Sequence, residues 1–516
     1  MKLAICPVNR LVLAETEGWW IMIASRDKGT FILLAVLVLM MITITDLDAR
    51  IIHVAVNGDD GSGDGSVANP YGGVQRAIRD TSPGDTIYVH EGKYLNEPRP
   101  GGYPMYGAPG EYIYLMGVPG EDNPVFASSE TAGFVSMTGG ENPPHHFVLK
   151  RLTYSKADPF AGSHCINIAS SDNEDPAIHN IVIDGCEFYN QRENSQMIKM
   201  AGVDSFTIKN CIMNASNGTV IGLAGVGCHD GEVYNCKIDS CLQGGIEFKG
   251  GSSEIVIRNN FVNMTYFTGI NLGGDTGEEY LRPPLSEMEL PNYEAKGIHV
   301  YSNIIRDCAA SIAFDTARNC KVYNNLIIRT ELTRSPSGIY NNIGLVWIRH
   351  SSWSCLVPSN NNFFANNIVY FNEREDYWEN VVCHTTTADA GDSSSTHEFY
   401  NNVWYCFDDP STSWASWTDE GKVDEPIVSG NIFGEDPMLQ TDSDTGIPVV
   451  VNSVLLGGRG VNAAKPEWYE YIDFYGEEYS SPPPIGPFNL SYEPGAPPTP
   501  ASVNRIIPLN MSGKKE

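Results

Sequence analysis

HNIVIDGCEFYN (179–190), DSFTIKNCIMNA (204–215), HDGEVYNCKIDS (229–240) and SEIVIRNNFVNM (253–264) are four versions of one phrase. Each holds a short alternating strand, a polar pair and a second short strand. The phrase returns in KGIHVYSNIIRD (296–307), NCKVYNNLIIRT (319–330), NNFFANNIVYFN (361–372), HEFYNNVWYC (397–406) and PIVSGNIFGE (426–435). The pivot of each copy is Cys186, Cys211, Cys236, Asn260, Asn303, Asn325, Asn367, Asn402 and Asn431, at intervals of 25, 25, 24, 43, 22, 42, 35 and 29 residues. The long intervals read as one coil plus a loop, or as a further coil with weaker likeness. Short strands and turn residues at such a period mark a parallel β-helix, where no coil buries its inner face without a stacked neighbour. Repeated asparagine at one bend suits a residue that tolerates left-handed backbone, and stacked amides can bond one another. The three cysteines share that column and read as a stack of small buried thiols. Cys308–Cys320 and Cys228–Cys241 are weaker disulfide candidates.

Both ends agree with a single-domain, all-β solenoid over 50–478. At the start, a strand, a Gly/Asp loop, the short amphipathic helix around VQRAI and a further strand lie within 51–94. The helix is expected to cap the open end and shield strand edges. At the other end, 434–462 reads as a last coil leading into a cap, and 479–516 as a proline-rich extended tail.

Of 516 residues, 33 are Lys or Arg and 63 Asp or Glu, a formal charge of -30. That balance excludes nucleic acid and anionic membrane surfaces as natural partners. FILLAVLVLMMITI (31–44), preceded by Arg26 and Lys28, has the length of a signal-peptide core, with a cut site after Ala49. Residues 1–49 are therefore expected to be a signal peptide or an uncleaved N-terminal anchor, and the protein secreted or periplasmic. The twelve cysteines contain no CxxC pair, which argues against zinc.

The N-terminal block carries Asn69, Pro70, Tyr71, Gln75, Ala77, Ile78, Pro83, Gly84, Asp85, Thr86, Ile87, Tyr88, Val89, Gly92 and Tyr94. In that order they resemble the opening of secreted right-handed β-helix proteins of the pectate lyase-like superfamily. YIYLMGVPGEDNPVF (112–126) and the closing GEDPML are similar to the same group. The resemblance implies a right-handed parallel β-helix and a polysaccharide ligand. It leaves the reaction open, because the superfamily holds lyases, hydrolases, epimerases and non-enzymes.

The strands before each pivot, IKMAG (198–202), IGLAG (221–225), IEFKG (246–250), INLGG (270–274), IAFDT (312–316) and VWIRH (346–350), align with one another. Period-2 alternation points their Ile, Leu, Met and Phe inward. Lys199, Glu247, Lys249, Asn271, Asp315, Trp347 and Arg349 then point outward along one stripe. VVCHT (381–385) extends the register and brings His384 to it. The loops 275–296, with Tyr280, Arg282 and Glu294, and 384–395 are expected to wall the stripe into a groove.

A lysine on an outward strand is similar to the catalytic base of β-helix polysaccharide lyases, and that resemblance implies β-elimination from a uronate with Lys249 as base. Arg349 or Arg282 would lower its pKa and hold the carboxylate. Asn271, Trp347, Tyr280, Glu247 and His384 are candidate substrate contacts. Calcium is the alternative neutraliser, with Asp315, Asp275 and Glu294 as oxygen ligands. The aspartate cluster of calcium-dependent pectate lyases is missing, and Gly273 stands where chondroitinase-like lyases carry an Arg on the coil beside the lysine. Two other readings stand beside this one: a glycoside hydrolase using Asp315 with Glu247 or Glu294, and a non-catalytic carbohydrate-binding or adhesion protein. Each residue also has a plain reading. Lys249 can be a solvated surface lysine, Arg349–Asp315 an ordinary ion pair, and Arg282-Pro-Pro a turn. His145 and His146 are given no role. No partner protein is implied, and a monomer is expected.

Overall fold

The computed structural model describes residues 3–6, 11–16, 19–24, 49–95, 105–127, 135–138, 142–156, 164–170, 177–190, 195–215, 220–330, 344–349, 359–372, 382–385, 396–411, 427–443, 446–452, 455, 472–479 and 483–489. The chain divides after Arg50 into two units. In the first, Leu3–Cys6, Leu11–Thr16 and Trp19–Ala24 form an antiparallel sheet. The apolar run 31–44 lies outside the described residues, and no described helix is long and apolar enough to cross a membrane.

The second unit is a parallel β-helix. One long parallel sheet climbs from Ile51–Val54 through His145–Lys150, Ile178–Asp184, Val203–Lys209, His229–Tyr234 and Ser252–Arg258 to Ile427–Ser429. A second sheet holds the remaining two strands of each coil, and Phe261–Gly273 and Ile304–Asp315 run through the corner between them without a break. Inward columns are continuous: Tyr94, Phe126, Tyr154 and Phe188 stack at 5.4–5.5 Å between ring centroids. The helix Val74–Arg79 buries Val74, Ala77 and Ile78 at the N-terminal end, as expected of a cap.

The polar pair at each bend divides its labour. Its first residue adopts left-handed backbone: Asn210, Asn235, Asn259, Ser302, Asn324, Asn366 and Asn401 have φ of 52–56°. Its second residue faces inward and forms a ladder. The Asn303 Oδ1 accepts the Asn260 backbone N–H at 2.9 Å and its amide at 3.0 Å. Asn325, Asn367, Asn402 and Asn431 repeat the pattern upward. Where cysteine replaces asparagine the ladder stops, and Cys186, Cys211 and Cys236 are buried free thiols. The disulfide candidates are not disulfides, for Cys228, Cys241, Cys308 and Cys320 are also free.

Part of the segment read as a tail packs against the solenoid. Residues 472–479 and 483–489 lie along the bend: Ser302 donates to the Ile472 carbonyl, Asn259 to that of Asp473, and Asn324 to those of Pro484 and Gly486. Ile485 and Phe488 are fully buried. The outward asparagines of the bend thus fasten the C-terminal segment.

Candidate functional site

The outward stripe exists, with two corrections of register. Ile198 pairs with Leu223, not with Ile221, and Leu223 with Ile246. A shift of two keeps the same faces but changes the neighbours, so Lys249 sits between Val226 and Gly273. At the far end Val346 pairs with Val382, so His384 holds the register position of Ile348 and Phe314, the inward column. A one-residue offset moves it off the stripe. Two outward rows result: Lys199–Ala224–Glu247–Asn271–Ala313–Trp347, and Ala201–Val226–Lys249–Gly273–Asp315–Arg349.

These rows floor a groove of about 490 Å³ lined by Lys199, Glu247, Lys249, Asn271, Asp275, Trp347 and Arg349, with Gln196, Gln243, Thr268 and Phe267 along its other side. Small Ala224 leaves the floor low between the two lysines. Glu247 is the hub: its Oε2 lies 3.6 Å from the Lys249 Nζ, and its Oε1 accepts the Asn271 amide at 3.1 Å. Phe267 meets Trp347 edge-on at 5.6 Å, and the Arg349 guanidinium lies 5.3 Å from the Trp347 ring.

Lys199 was overlooked as a site residue, although its place on the stripe was legible. It has no ion pair or hydrogen bond among the described residues. Burial, and next the charge of Lys249, hold its pKa below the ordinary lysine value. The lining carries three cations (Lys199, Lys249, Arg349) and two anions (Glu247, Asp275), a net +1 on a chain of -30.

The arginines have other work. Arg349 donates to Asp315 Oδ2 at 2.7 Å and to Asp275 Oδ2 at 2.6 Å, tying the loop to the strand. Arg282 does not reach the groove. It is buried against Asp204, at 2.6 and 2.7 Å, and the Gly227 carbonyl, at 3.0 Å.

The proposed calcium ligands do not form a calcium site. The guanidinium of Arg349 stands between Asp275 and Asp315, where a cation shared by them would sit. Glu294 is fully buried and spends both oxygens on the Gly250 and Thr276 N–H groups and the Thr276 hydroxyl. Asp315 is also fully buried; its Oδ1 finds no donor, and burial pushes its pKa up to about 7 against the pull of Arg349. Tyr280 is 55% exposed on the loop and does not line the groove.

The family model for the right handed beta helix region matches residues 135–277. The fold is a right-handed parallel β-helix, as the opening at 69–94 implies. Among solved structures the chain is similar to pectate lyase Pel9A (15% identity, 85% of this chain and 96% of that one, TM-score 0.47). It is similar also to the A-module of the Azotobacter vinelandii mannuronan C-5 epimerase AlgE6 (14%, 68% and 90%, TM-score 0.42). A third is the catalytic unit of the GH87 α-1,3-glucanase of Streptomyces thermodiastaticus (15%, 73% and 68%, TM-score 0.47). At these identities the likeness is one of fold. No curated protein matches the chain in sequence.

Proposed function

We propose that the groove binds a uronic-acid-containing polysaccharide and cleaves it by β-elimination. The observation that carries this reading is the pair of lysines, Lys199 and Lys249, on one open floor of an otherwise acidic chain. Elimination needs a cation at the uronate carboxylate and a base at C5. Lys249 supplies the cation, with the Glu247 carboxylate 3.6 Å from its Nζ. Lys199, whose ammonium is disfavoured first by burial and then by Lys249, takes the part of the base. The amine takes the C5 proton, the C5–H electrons form the C4=C5 double bond, and the C4–O bond breaks toward the glycosidic oxygen. That oxygen takes a proton from water.

Hydrolysis finds less support. It asks for two carboxyl groups flanking the scissile bond, whereas Asp315 and Glu294 are sealed and Asp275 is bound by Arg349.

The test is a panel of pectate, alginate, chondroitin and neutral glycans, with ultraviolet absorbance of unsaturated uronates read beside reducing ends. The wild type should raise both on one acidic glycan. Lys199→Ala and Lys199→Arg should each lower the rate by about 10²–10⁴-fold, the size of a general-base contribution. Lys249→Ala should weaken KM as well as kcat. Loss in Lys249→Ala with Lys199→Ala unchanged would return the base role to Lys249. Reducing ends without absorbance would mean hydrolysis, and binding without either would mean a carbohydrate-binding protein.

A further inference from the structure

Away from the groove, on the other long sheet, three histidines meet. His145 and His179 are register partners on adjacent coils, with rings stacked at 5.2 Å. His146 has left-handed backbone, φ 52°, which swings its ring to the same side as His145 instead of the opposite one. The His145 and His146 rings are 5.2 Å apart, their Nδ1 atoms 3.1 Å apart. One nitrogen from each of the three residues lies within 4.8 Å of the others.

We propose that His145, His146 and His179 form a binding site for a late first-row divalent cation, Zn²⁺ or Cu²⁺, with a fourth position open to solvent.

Three observations support it. Two imidazole nitrogens on one tetrahedral Zn²⁺, each about 2.0–2.1 Å from the metal, lie about 3.4 Å apart. The 3.1 Å between the two Nδ1 atoms is already close to that spacing. The His179 Nδ1 is 2.8 Å from the Ala177 carbonyl, which can only accept, so the proton sits on Nδ1 and Nε2 keeps its lone pair. Fixing the tautomer through a backbone carbonyl is how ligating histidines are oriented. His146 is braced on its far nitrogen by the Asn180 amide, whose Nδ2 lies 3.2 Å from Nε2; ligation through the His146 Nδ1 requires that amide to turn over, so that its oxygen accepts the Nε2 proton.

The donor set also selects the ion. Three imidazoles with no carboxylate suit zinc, copper or nickel and not calcium or magnesium. The next residue up the His145–His179 column, Asp204, is taken by Arg282 and completes no oxygen site. His145 and His179 are only partly buried, so an ion can reach the site from solvent. A metal there would staple two successive coils across their strand ladder, near the first third of the solenoid.

The experiment is titration of the tag-free, metal-stripped full chain with ZnCl₂ by calorimetry, with the thermal midpoint and the Cu²⁺ electron paramagnetic resonance spectrum as second readouts. Expected are one ion per chain, a midpoint that rises with Zn²⁺ and not with Ca²⁺, and nitrogen hyperfine structure from imidazoles on Cu²⁺. Loss of an outer-shell partner alone costs about 10–100-fold in metal affinity, so His145→Ala and His179→Ala should each weaken Zn²⁺ at least that much. Both are partly exposed, so the variants should fold, and an unchanged circular dichroism spectrum without metal checks this. Ala177 offers only its carbonyl, so Ala177→Ser serves as a nearby control and should bind as the wild type does. Equal Zn²⁺ affinity in the wild type and in both histidine variants, or no saturable binding by the wild type, overturns the proposal.

Discussion

Replacing Asn303 with Ala tests the ladder that sets the coil repeat. The Asn303 amide makes five hydrogen bonds. It accepts twice from Asn260, and donates to the Ile257 carbonyl at 2.9 Å, the Tyr301 carbonyl at 3.0 Å and Asn325 Oδ1 at 3.0 Å. Truncation leaves the Asn260 backbone N–H without its acceptor and removes one of the two acceptors of its amide, because the Val233 carbonyl holds only the other. Both groups are fully buried. A buried donor left unmade costs about 1–3 kcal/mol, so the variant should lose about 2–6 kcal/mol. Asn431, at the upper end of the ladder, is only partly buried, and water can replace what its loss removes. Asn431→Ala should therefore cost about 1 kcal/mol or less. Guanidinium unfolding followed by far-ultraviolet circular dichroism measures both. A solenoid can unfold in segments, so the comparison is of midpoints with slopes checked for equality. Equal midpoints for the two variants would refute the view that the interior amides are structural because they are sealed from water.

Arg349→Ala should destabilise the protein by about 3–5 kcal/mol, the usual result of stripping the partner from a buried charge. Adding Asp315→Asn to it should recover part of that loss, and thermal melts that show no recovery would remove Asp315 as the cause. Asp315 also predicts a pH dependence. Its folded pKa of about 7 stands above the unfolded 3.8, so the folded state holds the proton more tightly. The resulting stability is full below about pH 4 and is lost as pH rises toward 7, by up to about 4 kcal/mol for about 3 units. Asp315→Asn should flatten that decline, and parallel curves for variant and wild type would disprove it. Nine of the twelve cysteines are free and buried. Burial pushes the thiols of Cys186, Cys228, Cys308 and Cys320 up to about 12. At most three thiols should react with an aromatic disulfide reagent in the native state and more once unfolded; faster native reaction would mean the coils open.

The repeat was legible because physics writes it many times. A bend that needs left-handed backbone followed by a small inward side chain recurs nine times, four of them as an Asn pair, and the copies average out local noise. Individual registers were less secure. IGLAG matches its neighbours in pattern, yet the coil pairs LAGVG in its place, since Gly222 and Gly225 make both alignments equally apolar. VVCHT failed in the same way by one residue, which cost His384 its place on the stripe. The histidine cluster was invisible for a different reason. Alternation sends His145 and His146 to opposite faces, and only the left-handed φ at His146 reverses that.

The groove shows why outward residues alone do not name a catalytic set. Charged groups on the stripe are claimed first by the loop that leaves it. Gly273 and Gly274 end the strand so tightly that a Cβ on Gly273 would lie 1.7 Å from the Asp315 carbonyl oxygen and one on Gly274 2.8 Å from the Lys249 side chain. From that point Asp275 turns back to Arg349, and nineteen residues later Glu294 closes the loop onto the Gly250 N–H. Both ends of the loop are thus fastened by carboxylates that the sequence offers equally well as metal ligands or catalytic acids. What the fastening leaves over is decided by subtraction. Asp275, Asp315, Glu294 and Arg349 serve the wall, Glu247 serves Lys249 and Asn271, and Lys199 alone keeps a side chain that no described partner engages. A base must be free to gain a proton. By that criterion the proposed elimination would draw its base from the lysines, because the folded loop already engages the carboxylates.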